Sequence, residues 1–475
     1  MKKFLIPCYI LFTALLLAGC QKDLERVNKN PNEPTSLEPD YLLSNGIKSN
    51  VDTYWGTDAS MESSLLYIQY WAKIQYTDPD RYIPASTSIQ NVWSNFYAQG
   101  VEDFTTLAQL SDSLQNPNYK IPAIVMRSWI FQVLTDLYGD VPYTQTANIE
   151  KYLTPVYDSQ RVVYNGILAE LKSAVDQATG PTAIQGDVLL HGDIQKWKKF
   201  ANGLRLRIAL RIADRDFAAA KAVFDDVAAG GNLLLTDKDG DVQLNYLASP
   251  NQNPVGRNRE TRNDYRASKT IVDKLTALND PRLSIYVAPA KDTNVFIGVT
   301  NGLATDSAAR LGFTKTVDAG AVFTATMAPA VLFSYAEQQF ILAEAAQRNL
   351  ISGNAADYYK KAITASFAQY DIPATEVIAY IAQPGVAYNA ANYKKSIGEQ
   401  KWLALFGEGL EAFAEWRRLD YPQLKPAYTG ALNGKMPLRF TYPSSEQALN
   451  GNNYKAAVAR QGADLLTTKV WFDMY

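Results

Sequence analysis

The chain has 475 residues, with 46 Lys and Arg against 48 Asp and Glu, for a net charge of −2. That balance offers no basic stripe for nucleic acid, and the length is ample for a large buried core. Only two cysteines occur, Cys8 and Cys20, which excludes a disulfide-built scaffold.

Lys2 and Lys3 followed by the uncharged run Phe4–Ala18 read as a secretory signal at residues 1–19, too short to span a bilayer. Leu17-Ala18-Gly19-Cys20 has the form that a lipoprotein signal peptidase cleaves, so Cys20 is the expected lipid attachment site. More than one acyl chain there makes a stable membrane anchor. Residues 20–39 are polar and carry Pro31, Pro34 and Pro39, which suits a tether leading into a single domain over 40–475.

Helical periodicity dominates from there. Trp93, Phe96, Tyr97, Phe104 and Leu107 mark one amphipathic helix, and Pro122 opens another that runs to Gly139. Apolar stripes predict helices over 161–178, 194–213, 217–229, 331–350, 355–370 and 393–416, the last broken or bent around Gly407 and Gly409. The pair at 331–370 places small and aromatic residues where tetratricopeptide-type units interdigitate. The fold class is therefore mainly α: an irregular tetratricopeptide-like helix-pair scaffold. Long insertions at 50–92, 232–268, 286–330 and 424–468 are read as loops, with short strands at 295–299 and 322–326. Loops of that length above a rigid base are where binding is sought.

Much chemistry is missing. The one histidine, His191, has no Gly-x-Ser-x-Gly elbow to serve, and no Gly-rich phosphate loop occurs. No metal site of the His or Cys type and no cofactor are expected. Glu408, Glu411 and Glu415 have a spacing that would put them on one helical face, as a catalytic carboxylate pair would require, but Arg417 and Arg418 offer ordinary charge pairing. Asp237, Asp239 and Asp241 alternate as in a calcium loop, without its Gly and Glu.

Several stretches together resemble the SusD/RagB family of outer-membrane nutrient-binding lipoproteins, in its SusD-like branch. They are Asn28–Pro34, Asp136–Tyr143, Lys196–Arg207, Asp280–Leu283, Ala343–Ala345, Glu415–Pro422, Arg439–Pro443 with Asn452–Tyr454, and Lys469–Asp473. The resemblance implies a helical repeat scaffold, a surface-exposed place on the outer membrane, a glycan or oligosaccharide ligand and a SusC-like TonB-dependent transporter as partner, with no catalysis. A peptide-binding member of the same family, a glycoside hydrolase and a ligand-free scaffold remain alternatives. The matched stretches read as structural, with Trp197, Arg205, Arg207, Trp416 and Arg417 in packing and buried pairing.

Ligand contacts are sought in loop chemistry instead, because sugars stack on aromatic rings and offer hydroxyls to Asn, Asp and Arg. The 29 tyrosines and 8 tryptophans are suited to this. Tyr54 and Trp55 beside Gly56 form an expected stacking platform, and Tyr76, Asp80, Arg81 and Tyr82 complete it. Asn258 and Arg259 are the expected contacts from the Asn- and Arg-rich stretch at 251–266.

Overall fold

The computed structural model describes residues 38–114, 116–177, 183–231 and 233–475. The expected signal segment, Cys20 and almost all of the tether lie outside the described residues. Helix α1, Pro39–Trp55, opens the fold with Pro39 at its first position, where a missing N–H is harmless. Leu43, Ile47, Val51 and Tyr54 recur along it and are buried. The loop expected around Tyr54 and Trp55 is thus corrected: the pair closes α1, and Gly56 follows it. A π-helical segment, Thr57–Ser64, leads on to strand β1, Trp71–Lys73.

Helices α2, Ser86–Phe96, and α3, Glu102–Ser113, are joined by the π-helical turn Tyr97–Val101. The stretch expected as one helix is therefore one helical run with a wider turn in its middle. Helix α4, Lys120–Tyr138, is buried on almost every face, as befits a central helix. It stops at Gly139, whose φ of +84° suits glycine.

Helices α5, Gln160–Gln177, α6, Ile194–Ile212, and α7, Phe217–Ala229, follow the predicted stripes closely. The Asp193 carboxylate caps α6 by accepting from the backbone N–H groups of Gln195 and Lys196. Strands β2, Val242–Leu244, β3, Tyr265–Ala267, and β4, Ala330–Phe333, precede α8, Tyr335–Gln347, and α9, Ala355–Ala368. Helices α10, Tyr393–Ala404, α11, Gly409–Leu419, and α12, Gly451–Gln461, complete the set used below.

The helices pack in consecutive pairs, α4 with α5, α6 with α7, α8 with α9 and α10 with α11. The strands form small antiparallel ribbons: β1 pairs with β3, Trp71 opposite Ala267, and β2 pairs with β4, Val242 opposite Phe333. The two strands expected at 295–299 and 322–326 do not form. Val299 makes an isolated bridge to Ser268 beside the end of β3, and Ala321–Thr324 is a single helical turn that buries Phe323. Buried side chains from Leu43 to Phe472 form one contiguous core. No helix of the described residues is long and apolar enough to cross a membrane.

Inside that core lies a network of buried charges. Arg207 on α6 pairs with Glu337 on α8 at 2.6 Å, and Arg211 reaches Glu411 at 2.6 Å, Asp136 at 3.3 Å and Glu415. Lys401 on α10 meets Glu415 at 2.8 Å, and Arg418 joins Glu344 at 2.6 Å. Burial alone would raise Glu344, but the Arg418 and Arg348 guanidiniums hold it down at about 2. Arg207 and Arg211 likewise overcome burial to hold Glu411 at about 2. Arg207 and Arg418 are therefore ties between helices, each with an opposite partner, whereas the expected buried pairing of Arg417 is corrected: it donates to the Phe413, Asp136 and Leu438 carbonyls.

Candidate functional site

A cleft of about 700 Å³ is built where several loops meet the ends of helices. Its floor is buried and aromatic. Phe323 lies 5.0 Å from Phe406 in an edge-on arrangement and 6.4 Å from Tyr370 at the end of α9. The edge of Trp55 also lines it, with its indole N–H donated to the Val331 carbonyl at 3.1 Å. Gly407, between α10 and α11, has a φ of +99°; a Cβ there would sit 2.8 Å from the Phe323 ring and 3.2 Å from Trp55. Only glycine permits that turn and that approach together.

Polar groups gather around this floor. The Asp241 carboxylate accepts the Tyr335 backbone N–H at 2.6 Å and the Gln369 Nε2 at 3.0 Å, and burial pushes it up to about 6 against those bonds. Glu408 is buried, and its Oε2 has no hydrogen-bond partner, as is also true of Gln369 Oε1. Burial, with the charge of Glu337 beside it, drives the Glu408 carboxyl well above its ordinary range, although Arg207 pulls the other way. The rim is exposed and hydrogen-bonding, with His191, Lys196, Lys238, Asp239 and Asn245, and with Met327 as its apolar part. Such a mixture of apolar floor and convergent polar groups is the usual make-up of a small-molecule site.

The expected contact residues do not assemble around one platform. Trp55 lines the cleft, whereas Tyr54, Tyr76, Asp80, Arg81, Tyr82, Asn258 and Arg259 do not. Tyr54 is buried, 5.1 Å from the Trp129 ring, and its hydroxyl accepts the Glu411 N–H at 3.2 Å. Asp80 is wholly buried and accepts from Asn301 Nδ2 at 2.7 Å, Gly302 N–H at 2.9 Å and Lys73 N–H at 3.2 Å. Tyr82 is buried, its hydroxyl accepting the Ala427 N–H at 2.9 Å. Asp80 and Tyr82 clasp loops together and Tyr54 packs α1 against α4 and α11, so their expected role as ligand contacts is corrected: none presents a surface.

Arg81 donates to the Thr429 hydroxyl at 3.0 Å, Arg259 pairs with Asp318 at 2.6 Å, and Asn258 donates to Thr57 Oγ1 at 3.2 Å beside a smaller cleft of about 410 Å³. Tyr76 is 63% exposed with the Arg262 guanidinium 4.6 Å over its ring, which leaves the other face open. In the calcium-like run, Asp237 caps a short turn and Asp241 faces Tyr335; among the described residues no group of acids, His or Cys is arranged to hold a metal ion.

Phe323, Tyr370, Phe406 and Gln369 were not among the expected contacts. They come from three separate stretches, and only the 286–330 and 232–268 insertions, already marked as binding loops, pointed toward the cleft.

A mainly helical scaffold of paired helices that carries a loop-built cleft of about 700 Å³ defines the class. Residues 31–443 match the family model described as "Starch-binding associating with outer membrane", and the chain belongs to this SusD-like family. A solved chitin-binding protein is similar to it, with 27% identity, a TM-score of 0.82, and coverage of 92% of this chain and 100% of the other. A chitin-binding SusD homolog from Flavobacterium johnsoniae has 24% identity and a TM-score of 0.80, covering 91% of this chain and 98% of its own. A SusD homolog from Bacteroides uniformis has 24% identity and a TM-score of 0.79, covering 92% and 100%. The last two share the fold. No curated protein matches the chain by sequence.

Proposed function

We propose that this protein binds a glycan in the 700 Å³ cleft and delivers it to a SusC-like TonB-dependent transporter, while lipid on Cys20 holds it to the outer membrane. The observation that carries the reading is the cleft itself: an aromatic floor of Phe323, Phe406 and the Trp55 edge beneath a hydrogen-bonding rim. Sugar rings offer apolar C–H faces to such a floor and hydroxyls to such a rim. Family membership and the chitin-binding relative at 27% identity support a carbohydrate over a peptide.

Binding rather than hydrolysis is the assigned chemistry. Glu411 and Glu415, two of the three acids with catalytic spacing, are consumed by Arg211, Arg418 and Lys401 in the core. The partnership and the anchor rest on the family and on the Leu17–Cys20 motif, so their warrant is analogy and sequence.

The test is a titration of the purified protein with starch- and chitin-derived oligosaccharides. Substituting exposed Asn245 together with Gln243 by Ala weakens the bound glycan roughly tenfold while the melting temperature holds, since each lost hydrogen bond is worth about 0.5–1.5 kcal/mol. An unchanged affinity removes the cleft from consideration. In native membranes, Cys20→Ser moves the protein to the soluble fraction when the transporter is absent, and the wild type co-purifies with a TonB-dependent transporter. Continued sedimentation of the variant refutes the anchor.

A further inference from the structure

The smaller cleft, of about 410 Å³, has a polar lining that the fold only partly uses. Asn95 and Gln99 reach it from α2 and the π-helical turn after it, four residues apart and so on one face. Arg257 and Asn258 line it from the short helical turn Pro254–Arg259, and Asp52 and Asp58 from the end of α1 and the π-helical segment beyond. Asp52 is occupied, accepting from the Tyr246 hydroxyl at 2.7 Å and Lys48 Nζ at 2.5 Å, and Asp58 accepts from Asn91 Nδ2 at 2.9 Å. Among the described residues, the side chains of Asn95, Gln99 and Arg257 make no hydrogen bond or ion pair with the protein, and Gln99 and Arg257 are exposed. No aromatic ring lines this cleft among the described residues, so hydrogen bonding is the chemistry that it offers.

The wall between this cleft and the 700 Å³ cleft is thin at three places. Trp55 lines the larger cleft and Gly56, the next residue, lines the smaller. Asn245 lines the larger, and its neighbour Tyr246 bonds to Asp52 in the smaller. Pro254 and Arg257 line the smaller while Ala325 and Ala328 line the larger, and these two segments touch through their backbones. The Asn253 N–H donates to the Thr326 carbonyl at 2.7 Å and its Nδ2 to the Ala328 carbonyl at 2.9 Å, while a Cβ on Gly256 would stand 2.6 Å from the Ala325 carbonyl oxygen. Asn253 is wholly buried, so the seam is a fixed part of the fold. Consecutive residues lie about 3.8 Å apart, and a wall one or two residues wide makes the clefts neighbours on one face.

We propose that the two clefts are consecutive subsites for one neutral oligosaccharide chain: sugars held in the larger cleft continue over the wall at Trp55 and Gly56, and the hydroxyls of the following sugars are taken up by Asn95, Gln99 and Arg257. This deepens the glycan reading and rests on it. A hydroxyl both donates and accepts, which matches amides that do both and a guanidinium that donates. Two carboxylates against one guanidinium in the lining disfavour an acidic sugar. Once the first sugars are bound, filling the second cleft is an intramolecular step, so chain length itself adds affinity.

The experiment is calorimetric titration of the purified protein with a trisaccharide and an octasaccharide, in both the chitin and the starch series. In the series that binds, the octasaccharide is expected to bind roughly tenfold tighter than the trisaccharide. The triple variant Asn95→Ala, Gln99→Ala, Arg257→Ala is expected to lose that gain and to keep the trisaccharide affinity and the melting temperature, since these side chains bond to nothing in the protein. Equal affinities for the two lengths in the wild type overturn the second subsite and leave the glycan reading standing. So does a length gain that survives in the triple variant, because a longer chain then merely has more registers within one cleft. Loss of the trisaccharide in the variant also overturns the proposal, by moving the first sugars into the smaller cleft. Binding of neither length in either series overturns both readings. Should the triple variant fail to fold, Arg257→Ala is titrated alone, and it must weaken the octasaccharide and spare the trisaccharide.

Discussion

Glu411 and Glu408 are three residues apart, equally buried, and electrically opposite. Glu411 faces Arg211 and Arg207, which hold it at about 2, whereas Glu408 has an oxygen with no partner and is driven well above its ordinary range. The first belongs to a closed network that ties α4, α6, α8, α10 and α11 together; the second lies just ahead of α11, at the edge of the cleft. The same side chain serves cohesion where cations converge on it, and is left with an unpartnered oxygen where they do not.

That contrast can be broken by mutation. Arg211→Ala leaves Asp136 without its ion-pair partner in the core and takes one of the cations from Glu411 and from Glu415, and stability in denaturant titration falls by about 3–5 kcal/mol. Trp55→Ala removes a ring that is 3% exposed and holds the Val331 carbonyl, so the melting temperature drops with a loss of about 3–5 kcal/mol. A stable Trp55→Ala protein that merely loses glycan would mean that the ring serves the ligand more than the fold.

Acid sharpens the comparison. Glu344 and Glu411 have depressed carboxyls, so their stabilisation is complete above the ordinary value near 4.5 and is lost as pH falls toward about 2; for Glu344 this is on the order of 3 kcal/mol. Asp241 and Asp80 are raised to about 6, so they favour the folded state below their ordinary value, and that advantage is lost as pH rises through about 6. Stability is therefore greatest in mildly acidic solution, between these windows, and chemical denaturation across pH checks it. A profile that rises steadily to neutral pH would show that the network outweighs the raised acids throughout. The smallest effect is expected from Glu408→Gln, which removes an unpartnered acid and changes stability by less than about 1 kcal/mol or raises it.

Much of the helical frame was legible because burial imposes its period on the residues. The ends of α5, α6 and α7 fall within about a residue of the apolar stripes that predict them. The pairing of Trp197, Arg205 and Arg207 was legible for a related reason: large or charged groups in a buried helix need partners, and Asp187, Asp226 and Glu337 supply them. Tyr54 was misread because Gly56 and Asp58 resemble loop composition, although the stripe of Leu43, Ile47 and Val51 already ran to it. Asp80 and Tyr82 look like surface chemistry in sequence and prove to be clasps, since nothing local reveals that Asn301, Gly302 and Ala427 arrive from more than two hundred residues away. The cleft floor was the least legible part. Phe406 carries no local mark that separates it from any other core aromatic.

The turn at Gly407 locks the floor of the cleft to the backbone beneath it. Its missing side chain is the gap into which Phe323 and Trp55 settle, so the depth of the cleft is set by an atom that is absent. A methyl group at this position would press on both rings and strain a turn whose φ is +99°. The recess thus keeps its depth only while this one position stays bare, like a socket held open by a missing peg.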